Sequence, residues 1–536
     1  MHTDPEAKIS SPWAPFKHRV FLVLWVAGLI SNIGTWIFNV TSGWLMTGLT
    51  DSPLMVSLIQ ASTALPIFLF ALPGGAFGDI FDRRKVLLYV QSMLAVVLLI
   101  FAILLYMKII NAWLLLFFTF LTGVGTAFSM PSWQATIPRL VPREALSSAI
   151  ALNGINMNIA RAIGPALGGI ILLIFGAILA VIIDAVSYLV VVLALLWWRV
   201  NTKTKTTIPR ERVMSAMKAG IRFCIHSKPL VATLIRSFVF FLFASAYWAL
   251  LPLIAKDILH GGPGLYGILF GAIGVGAVGG AFLLPFMKNT VGPNVTVILG
   301  TLGTSLAVLL FALESSPLQG IFASLMAGCS WIMVVVNLSV SAQVALPDWV
   351  RSRGLAMVQV VFFGGMALGS VLWGQLAGLL GLKIALEISA LLAIIALVCV
   401  WRWKLYQGEY HDYSPSHHWA EPKPAYELAP NRGLVLITIE YHIAVENRDL
   451  FVKRMRHLGK IRKRDGAIFW GIFEDIEKPG RYTEIYVDES WIAHLRKHER
   501  VSYADRVIEE KVKALHIGAE APKVTHAVGP KACTYS

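Results

Sequence analysis

The chain has 536 residues, of which 56% are hydrophobic and 14% are charged, and its mean hydropathy is +0.67. Soluble domains carry about 25% charged residues, so this composition excludes an ordinary soluble protein. The formal net charge of +15 does not indicate a nucleic-acid partner, because the basic residues are concentrated in a few alternating loops.

Before residue 406 the chain contains twelve apolar segments, each of about 20 residues or more, the length that a helix needs to cross a bilayer. The first segment lacks a small-residue cleavage site, so we expect no signal peptide to be removed. The sequence therefore predicts an all-α membrane protein with twelve transmembrane helices. The predicted segments are 20–44, 53–77, 86–107, 112–131, 146–174, 177–198, 230–254, 264–287, 293–313, 317–341, 354–380 and 384–405.

Basic residues mark one side of the membrane. When the loops are numbered alternately, the N-terminus and the loops on its side carry nineteen Lys and Arg residues, whereas the opposite loops carry only Lys108, Lys256 and Lys383. Basic loops stay on the cytoplasmic side during insertion. We therefore expect a multi-pass protein of the cytoplasmic (inner) membrane with both termini in the cytoplasm.

The membrane segments contain an internal repeat. The sequence Gly-Gly-Ala-Phe occurs at 74–77 and again at 279–282, and the spacing of Gln134 and Pro138 recurs 209 positions later. Parallel six-helix halves of this kind place a substrate path between them and work by alternating access. The predicted divisions are an N-terminal half (1–200), a basic cytoplasmic central loop (201–229) and a C-terminal half (230–406).

The composition changes after Lys404. Residues 407–430 are rich in proline and predict a linker. Residues 431–530 show the β-α-β-β-α-β order of a small α+β, ferredoxin-like domain, with its second helix running from Ser490 to about Ala514. We expect this cytoplasmic domain to mediate dimerisation or regulation.

The histidines of this tail do not by themselves indicate a metal site. His494 and His498 are four positions apart on the predicted helix, but no HExxH motif accompanies them. A solvated helical face is the preferred interpretation. The four cysteines show no metal-ligand spacing. The sequence therefore predicts neither a bound metal nor a cofactor.

Several motifs carry a family resemblance. The loop Gly75-x-x-x-Asp79-x-x-Asp82-Arg83-Arg84 resembles the loop between helices two and three of the major facilitator superfamily, with Asp82 where most members have glycine. Further motifs resemble the subgroup that contains enterobactin and macrolide exporters. They include Ser31-Asn32-x-Gly34-Thr35-Trp36, Ser52-Pro53, Pro131-x-x-Gln134 and Gly164-Pro165-Ala166-Leu167-x-Gly169.

The tail has a resemblance of its own. Residues 489–500 are similar to the extra domain that many bacterial members carry, which resembles antibiotic-biosynthesis monooxygenase folds. By that analogy Trp470, Trp491 and His494 are candidates for lining a small-molecule pocket. Fold analogy does not establish an enzyme, and no specific catalytic set is present, so we expect no enzymatic activity.

The resemblance implies a secondary active transporter that exports small amphipathic molecules, such as a siderophore, a drug or a related metabolite, by proton antiport. Its expected partners are the lipid bilayer, a small-molecule substrate and protons. Two alternatives stay open. The protein is an importer of a polar metabolite or ion, or it is a membrane-anchored sensor or enzyme that acts through residues 431–530.

The resemblance also implies gating residues. Asp79, at the end of the second helix, would act as a cytoplasmic latch, with Arg351 and Arg353 as candidate partners. The Gly164-Pro165 pair removes a backbone donor and permits a bend in the fifth helix. The complete predicted gating set is Gly75, Asp79, Asp82, Arg83, Arg84, Gly164, Pro165, Gly168, Gly169, Arg351 and Arg353.

Charged residues inside the predicted helices are the candidates for substrate binding and proton coupling. A charge in the hydrocarbon core costs at least about 2.5–3.5 kcal/mol, so it normally faces a cavity or a partner. Arg161 and Asp184 would form either a buried ion pair or a proton-sensitive site, and Asp184 is the candidate proton carrier. The remaining candidates are Arg236, Asn32, Trp36, Asn156, Tyr247 and Asn337. A predicted aromatic lining comprises Trp36, Trp44, Phe240, Tyr247, Trp248, Trp331 and Phe362.

Overall fold

The computed structural model describes residues 11–80, 82–198, 213–313, 316–347, 349–405, 416, 418, 419 and 432–529. The chain divides into two units. The first comprises Met1–Ile208, Leu234–Ser339 and Val358–Lys404, and the second comprises Pro209–Thr233, Val340–Met357 and Leu405–Ser536. Most of the predicted linker at 407–430 lies outside the described residues.

Long apolar helices dominate the membrane part. Within the described ranges, ten helices are long and apolar enough to cross a bilayer. A helix satisfies its own backbone hydrogen bonds, which is the requirement that lipid imposes on a spanning segment. The ten are α1 (Arg19–Leu49), α2 (Pro53–Ile80), α3 (Arg83–Tyr106), α4 (Ala112–Thr136), α5 (Leu146–Trp197), α7 (Lys228–Leu253, extended by the π-helix Ile254–Ile258), α8 (Pro263–Leu313), α9 (Pro317–Val344), α10 (Arg351–Leu380) and α11 (Leu382–Cys399).

The two longest helices are each interrupted by a glycine. Gly176 in α5 has φ 78° and ψ 177°, and Gly292 in α8 has φ 78° and ψ 169°. A Cβ atom at either position would meet nothing within 4 Å, so the positive φ angle, not crowding, favours glycine there. Each glycine lies between two predicted segments and divides its helix into two helical parts.

Small residues bring the helices of the first unit together. Gly123 of α4 lies against the Ser62 and Thr63 carbonyls of α2, and Gly125 lies against Leu94 of α3. Inside lipid no hydrophobic force draws helices together, so close backbone approach and dispersion contacts hold them. Side chains on the outer faces, such as Phe282, remain exposed to the surroundings.

The second unit contains a four-stranded antiparallel sheet. Its order is β2-β3-β1-β4, from strands β1 (Val435–His442), β2 (Phe469–Glu474), β3 (Arg481–Asp488) and β4 (Lys523–Val528). Alternate residues of β1 are buried against the helix α12 (Arg448–Arg464), where Phe451, Met455 and Leu458 complete the core. The helix α6 (Val213–His226) packs on α12, so part of the predicted central loop is helical.

The predicted helix from Ser490 to Ala514 is wrong as a single element. The structure has α13 (Trp491–Arg500) and α14 (Tyr503–Lys513), separated by an extended Val501. Ser502 begins α14 with a capping box, in which its side chain accepts from the Asp505 N–H and the Asp505 carboxylate accepts in return. These hydrogen bonds give the backbone at Ser502 an alternative to the hydrogen bonds of a continuous helix, and the helix therefore breaks there.

Candidate functional site

A seam of glycines joins the first part of α5 to the first part of α8. A Cβ atom at Gly169 would lie 2.7 Å from the Cα of Gly267, and a Cβ atom at Gly267 would lie 2.6 Å from the Cα of Gly169. Further along, a Cβ atom at Gly274 would lie 2.7 Å from the Cα of Ala162. No real side chain tolerates such distances, so the two helices touch backbone to backbone. We call this contact the glycine seam; it comprises Gly169, Gly267, Gly271 and Gly274.

Other glycines of the predicted gating motif face α1. A Cβ atom at Gly164 would lie 2.6 Å from the Cβ of Trp36, and one at Gly168 would lie 3.0 Å from the Cα of Ile37. The Pro165 carbonyl oxygen would lie 3.0 Å from a Cβ atom at Gly267. The motif therefore forms a junction at which α1, α5 and α8 meet.

The same end of the first unit carries further contacts between the two sequence halves. The Lys256 ammonium group donates to the Thr47 carbonyl oxygen at 2.6 Å. A Cβ atom at Gly43 would lie 2.7 Å from the Tyr266 hydroxyl oxygen. A Cβ atom at Gly374 of α10 would lie 3.2 Å from the Cα of Leu54 in α2. Five helices, α1 and α2 of the N-terminal half and α7, α8 and α10 of the C-terminal half, thus make contacts at this end.

Next to the seam, aromatic rings from both halves form a continuous cluster. The Trp36 ring lies 5.6 Å from Phe270, and Trp248 lies 5.2 Å from both Phe270 and Trp331. The chain of rings continues through stacked contacts toward Tyr266 and Trp44, and through edge-to-face and tilted contacts on the other side, arrangements that aromatic quadrupoles favour. We call these residues the aromatic cluster; its members are Trp36, Trp44, Phe240, Phe241, Tyr247, Trp248, Tyr266, Phe270, Trp331 and Phe362.

Arg161 lies at the edge of the aromatic cluster. Its guanidinium carbon is 6.0 Å from the centre of the Trp36 ring, at the outer limit of a cation–π contact. The side chain is half-buried. The predicted alternative of a buried pair with Asp184 is wrong, because no ion pair joins these two described side chains. Arg161 therefore supplies a positive charge beside the rings of Trp36 and its neighbours.

Asp184 lies in the second part of α5 and is fully buried. Its Oδ1 accepts a hydrogen bond from the Ser187 hydroxyl at 3.2 Å, while Oδ2 has no hydrogen-bond partner among the described residues. A Cβ atom at Gly34 of α1 would lie 2.7 Å from Oδ1, so glycine makes room for the carboxyl group. A buried acid with a free oxygen has the chemistry of a group that holds a proton.

The predicted asparagines have different positions. The Asn32 amide donates to the Asn156 side-chain oxygen at 2.9 Å, and the Asn156 amide donates to the Trp25 carbonyl oxygen at 2.8 Å, which links α1 to α5. Asn337 donates to the Met333 carbonyl oxygen of its own helix.

Arg236 is buried on α7, and its Nε and Nη1 atoms have no hydrogen-bond partner within the described part of the chain. The structure thus brings Trp36, Arg161 and Tyr247 into one region.

Sequence reasoning missed three residues of this region. Tyr266 and Gly267 are adjacent near the start of α8, and Phe270 follows about one turn later, so small and aromatic groups lie on neighbouring faces of the helix. The four-residue spacing of Gly267 and Gly271 is the signal that could have identified the seam, because small residues at this spacing permit close helix packing.

The loop between α2 and α3 has defined structural contacts. Asp82 caps α3 by accepting from the Lys85 N–H at 3.1 Å. Arg83 donates to the Ala135 carbonyl oxygen at 2.9 Å, and Arg84 donates to the Leu195 carbonyl oxygen at 2.7 Å. Both arginines therefore satisfy carbonyl groups near the C-terminal ends of other helices, where a positive charge is favourable.

The latch itself stays a prediction. Gly75 and Asp79 belong to α2, but their side-chain environments lie outside the described part of the structure. Arg351 and Arg353 belong to the second unit, in which a Cβ atom at Gly220 of α6 would lie 2.8 Å from the Cβ of Arg353.

Several buried polar networks lie beside α13 and α14 in the second unit. In the first, Arg462 donates to Glu484 at 3.2 Å and to Glu509 at 2.5 Å, and His418 and Trp419 also contact Glu509, each at 2.9 Å. Burial alone would raise the pKa of Glu509, but Arg462 and these hydrogen bonds hold it at about 2.

In the second network, the Asp488 carboxylate lies between His494 (2.9 Å) and Lys497 (2.6 Å). His494 is fully buried, so the prediction of a solvated helical face is wrong for this residue. Burial, together with the nearby His494 and His526, lowers the pKa of His498 to about 4. Trp470 donates to Glu484, and Trp491 packs beside His494.

The chain matches one family model and is similar to several known exporters. A family model described as "Transmembrane secretion effector" matches residues 10–534. The chain is 27% identical over 375 residues to the enterobactin exporter EntS of Escherichia coli O1:K1 / APEC, a match covering 68% of this chain and 86% of the exporter. The EntS protein of Citrobacter koseri is 26% identical over the same length and coverage.

Solved structures share the fold at low sequence identity. A POT family transporter in complex with a thioalcohol-conjugated peptide matches with a TM-score of 0.60 at 13% identity, covering 71% of this chain and 95% of the transporter. A bacterial homologue of the human lysosomal transporter Spinster, in an inward-facing and unoccupied conformation, matches with a TM-score of 0.57 at 14% identity, covering 73% and 96%. These likenesses establish the fold alone.

Proposed function

Because the chain belongs to the transmembrane secretion effector family of the major facilitator superfamily, we propose that it exports small amphipathic molecules by alternating access. The protein is a multi-pass membrane transporter and not an enzyme. Its similarity to enterobactin exporters supports export as the direction and a siderophore, drug or related metabolite as the substrate. The inner membrane is the corresponding location.

We infer twelve membrane passages. The breaks at Gly176 and Gly292 allow α5 and α8 to cross twice each, which adds two passages to the ten long helices. The alternation of basic loops supports cytoplasmic termini on this count. The strand order of the tail supports its classification as a ferredoxin-like cytoplasmic domain.

The glycine seam is the observation that carries the proposal. With cytoplasmic termini, Gly169, Gly267 and Lys256 lie toward the outer face of the membrane, so the two halves are closed on that side. We infer from these contacts a state that is closed toward the outside, in which substrate enters from the cytoplasm. Release to the outside then requires α5 and α8 to separate at the seam while the cytoplasmic ends approach.

The aromatic cluster and Arg161 support the substrate class. Aromatic rings offer a large apolar contact area with defined geometry, and the guanidinium group attracts a negative charge. A planar or amphipathic anion, such as a catecholate siderophore, satisfies both requirements. Asp184, buried with one free oxygen, is the proposed proton carrier of an antiport mechanism.

Accumulation in everted vesicles tests this proposal. Vesicles containing the protein are supplied with a panel of catecholate siderophores, macrolides and polar metabolites, with and without an imposed proton gradient. The proposal predicts gradient-dependent accumulation of at least one amphipathic compound. Vesicles with Trp248→Ala and, as a matched control, the exposed Trp113→Ala distinguish the aromatic cluster from general effects on the membrane. Accumulation of polar metabolites only, or none across the panel, contradicts the proposal.

A further inference from the structure

Three histidines of the second unit converge at one point. His494 and His498 lie one turn apart on α13, and His526 lies on β4. Their nearest ring nitrogens all lie within 4.8 Å of one another. Neither the transport function nor any of the motifs discussed above accounts for this histidine cluster.

The hydrogen bonds orient the rings for coordination. His494 Nδ1 is 2.9 Å from Asp488 Oδ2, so its N–H donates a hydrogen bond to the carboxylate, and Nε2 keeps its lone pair. His494 Nε2 lies 3.2 Å from His498 Nε2. A tetrahedral zinc ion with Zn–N bonds of about 2.0–2.1 Å separates its nitrogen ligands by roughly 3.3 Å. The first two ligands therefore already have the spacing that zinc requires.

We propose that His494, His498 and His526 bind one divalent transition-metal ion of the zinc class. The carboxylate of Asp488 stands behind His494 as the outer partner that metal-bound histidines usually have. Its other oxygen accepts from Lys497 at 2.6 Å, so both oxygens are occupied and Asp488 is not itself a ligand. Three imidazole ligands and no thiolate suit zinc, with a fourth position left for water or an exogenous ligand.

The surroundings of the cluster suit a structural or regulatory site. His494 is fully buried, whereas His498 and His526 are half-buried, which leaves access for an ion. Strand β4 is at the edge of the sheet, so a small movement of His526 toward α13 completes the ligand set without disturbing the core. A bound ion would fix α13 to β4, two elements far apart in the sequence.

Zinc titration of the full-length protein tests the site. The protein is purified in detergent with an affinity tag that contains no histidine, stripped with a chelator, and titrated with Zn²⁺ in competition with a chromophoric chelator. We expect one tight site per chain. His498→Gln and His526→Gln each weaken binding at least tenfold, whereas the exposed control His457→Gln leaves it unchanged.

Folding is checked separately, so that misfolded protein is not mistaken for a lost site. Each variant must retain the wild-type circular dichroism spectrum and elution volume. His526→Gln is the decisive variant, because His526 lies on an edge strand and is not part of the packed core. Co²⁺ replaces Zn²⁺ in a second measurement and should give the visible absorption of tetrahedral coordination. The proposal is overturned if the wild-type protein binds no Zn²⁺ tightly, or if folded His526→Gln binds it as the wild type does. Neither result bears on export.

Discussion

Gly169 and Gly267 touch through their backbones, since a Cβ atom at either would lie within 2.7 Å of the other's Cα. This contact joins α5 to α8, and it forms without any polar side chain. A contact of this kind can open and close with little energetic cost, because it buries no ion pair and breaks no side-chain hydrogen bond. It is therefore a suitable place for a gate.

A larger side chain in the seam should impair transport. Gly169→Val places two methyl groups where the α8 backbone lies, so the seam cannot close and the inward-facing state is destabilised. We expect efflux to fall at least tenfold at equal amounts of protein in the membrane. Gly154→Val, also in α5 but with nothing within 4 Å, is the matched control and should retain efflux. Equal efflux by both variants would show that the seam is dispensable.

We expect Arg161 to contribute to substrate affinity through its positive charge. Removing the guanidinium group with Arg161→Gln leaves the Trp36 ring without its cationic neighbour, an interaction of about 0.5–2 kcal/mol. We expect the apparent affinity for an anionic substrate to fall about tenfold, measured by quenching of tryptophan fluorescence, and Arg161→Lys to retain part of it. The surface control Lys288→Gln should have no effect. An equal loss of apparent affinity for neutral and anionic substrates would show that Arg161 does not recognise the substrate's charge.

Asp184→Asn tests the proton carrier. Asparagine has nearly the same shape and can still accept from Ser187, so we expect the protein to fold and reach the membrane. Substrate exchange across vesicles without a gradient should continue, whereas accumulation driven by a proton gradient should disappear. Asp51→Asn, at an exposed position, is the control. If the variant retains gradient-driven accumulation, Asp184 does not carry the proton.

The buried Arg462–Glu509 pair should make the tail sensitive to acid. The pKa of Glu509 in the folded protein is about 2, below its ordinary value of 4.5, so the pair stabilises the fold above pH 4.5. That stability is lost as the pH falls from about 4.5 toward 2, where the folded protein must also take up the proton.

Glu509→Gln should therefore lower the free energy of unfolding of the tail by about 3 kcal/mol at pH 7, because it leaves Arg462 buried without its full partner. Denaturant unfolding of the full-length protein, followed through the fluorescence of the tail tryptophans, measures this difference. It should shrink as the pH falls below 4.5. The exposed Glu520→Gln should unfold like the wild type throughout. A constant difference between pH 7 and pH 3 would contradict the assignment.

Local sequence signals predict much of the membrane architecture. Apolar segments and the positions of glycine identify the helices, and the predicted boundaries at 174–177 and 287–293 coincide with the breaks at Gly176 and Gly292. Lipid imposes helical structure on any apolar segment of sufficient length, so little tertiary information is needed for this part.

Local sequence signals do not predict the contacts between distant segments. The motif marks Gly169, and the four-residue spacing of Gly267 and Gly271 marks α8 as a closely packing helix. The pairing of Gly169 with Gly267 does not follow from either signal, because which helices meet depends on the packing of the entire bundle. The same holds for the histidine cluster. His494 and His498 are visible on one helix, whereas His526 joins them only through the pairing of β4 with β1. The separation of α13 from α14 was missed because the capping residue Ser502 lies within an otherwise helical pattern.

A disulfide across the seam tests whether α5 and α8 separate during transport. The Cβ of Ala166 lies 3.3 Å from the position of a Cβ atom at Gly271, close to the Cβ–Cβ distance of about 3.5–4.5 Å in disulfides. The pair Ala166→Cys and Gly271→Cys is made in a chain whose native cysteines are replaced by serine, with each single substitution as a control. If the seam must open during transport, oxidation abolishes efflux in the double variant and reduction restores it. Undiminished efflux by the fully cross-linked protein would show that the seam does not open during transport.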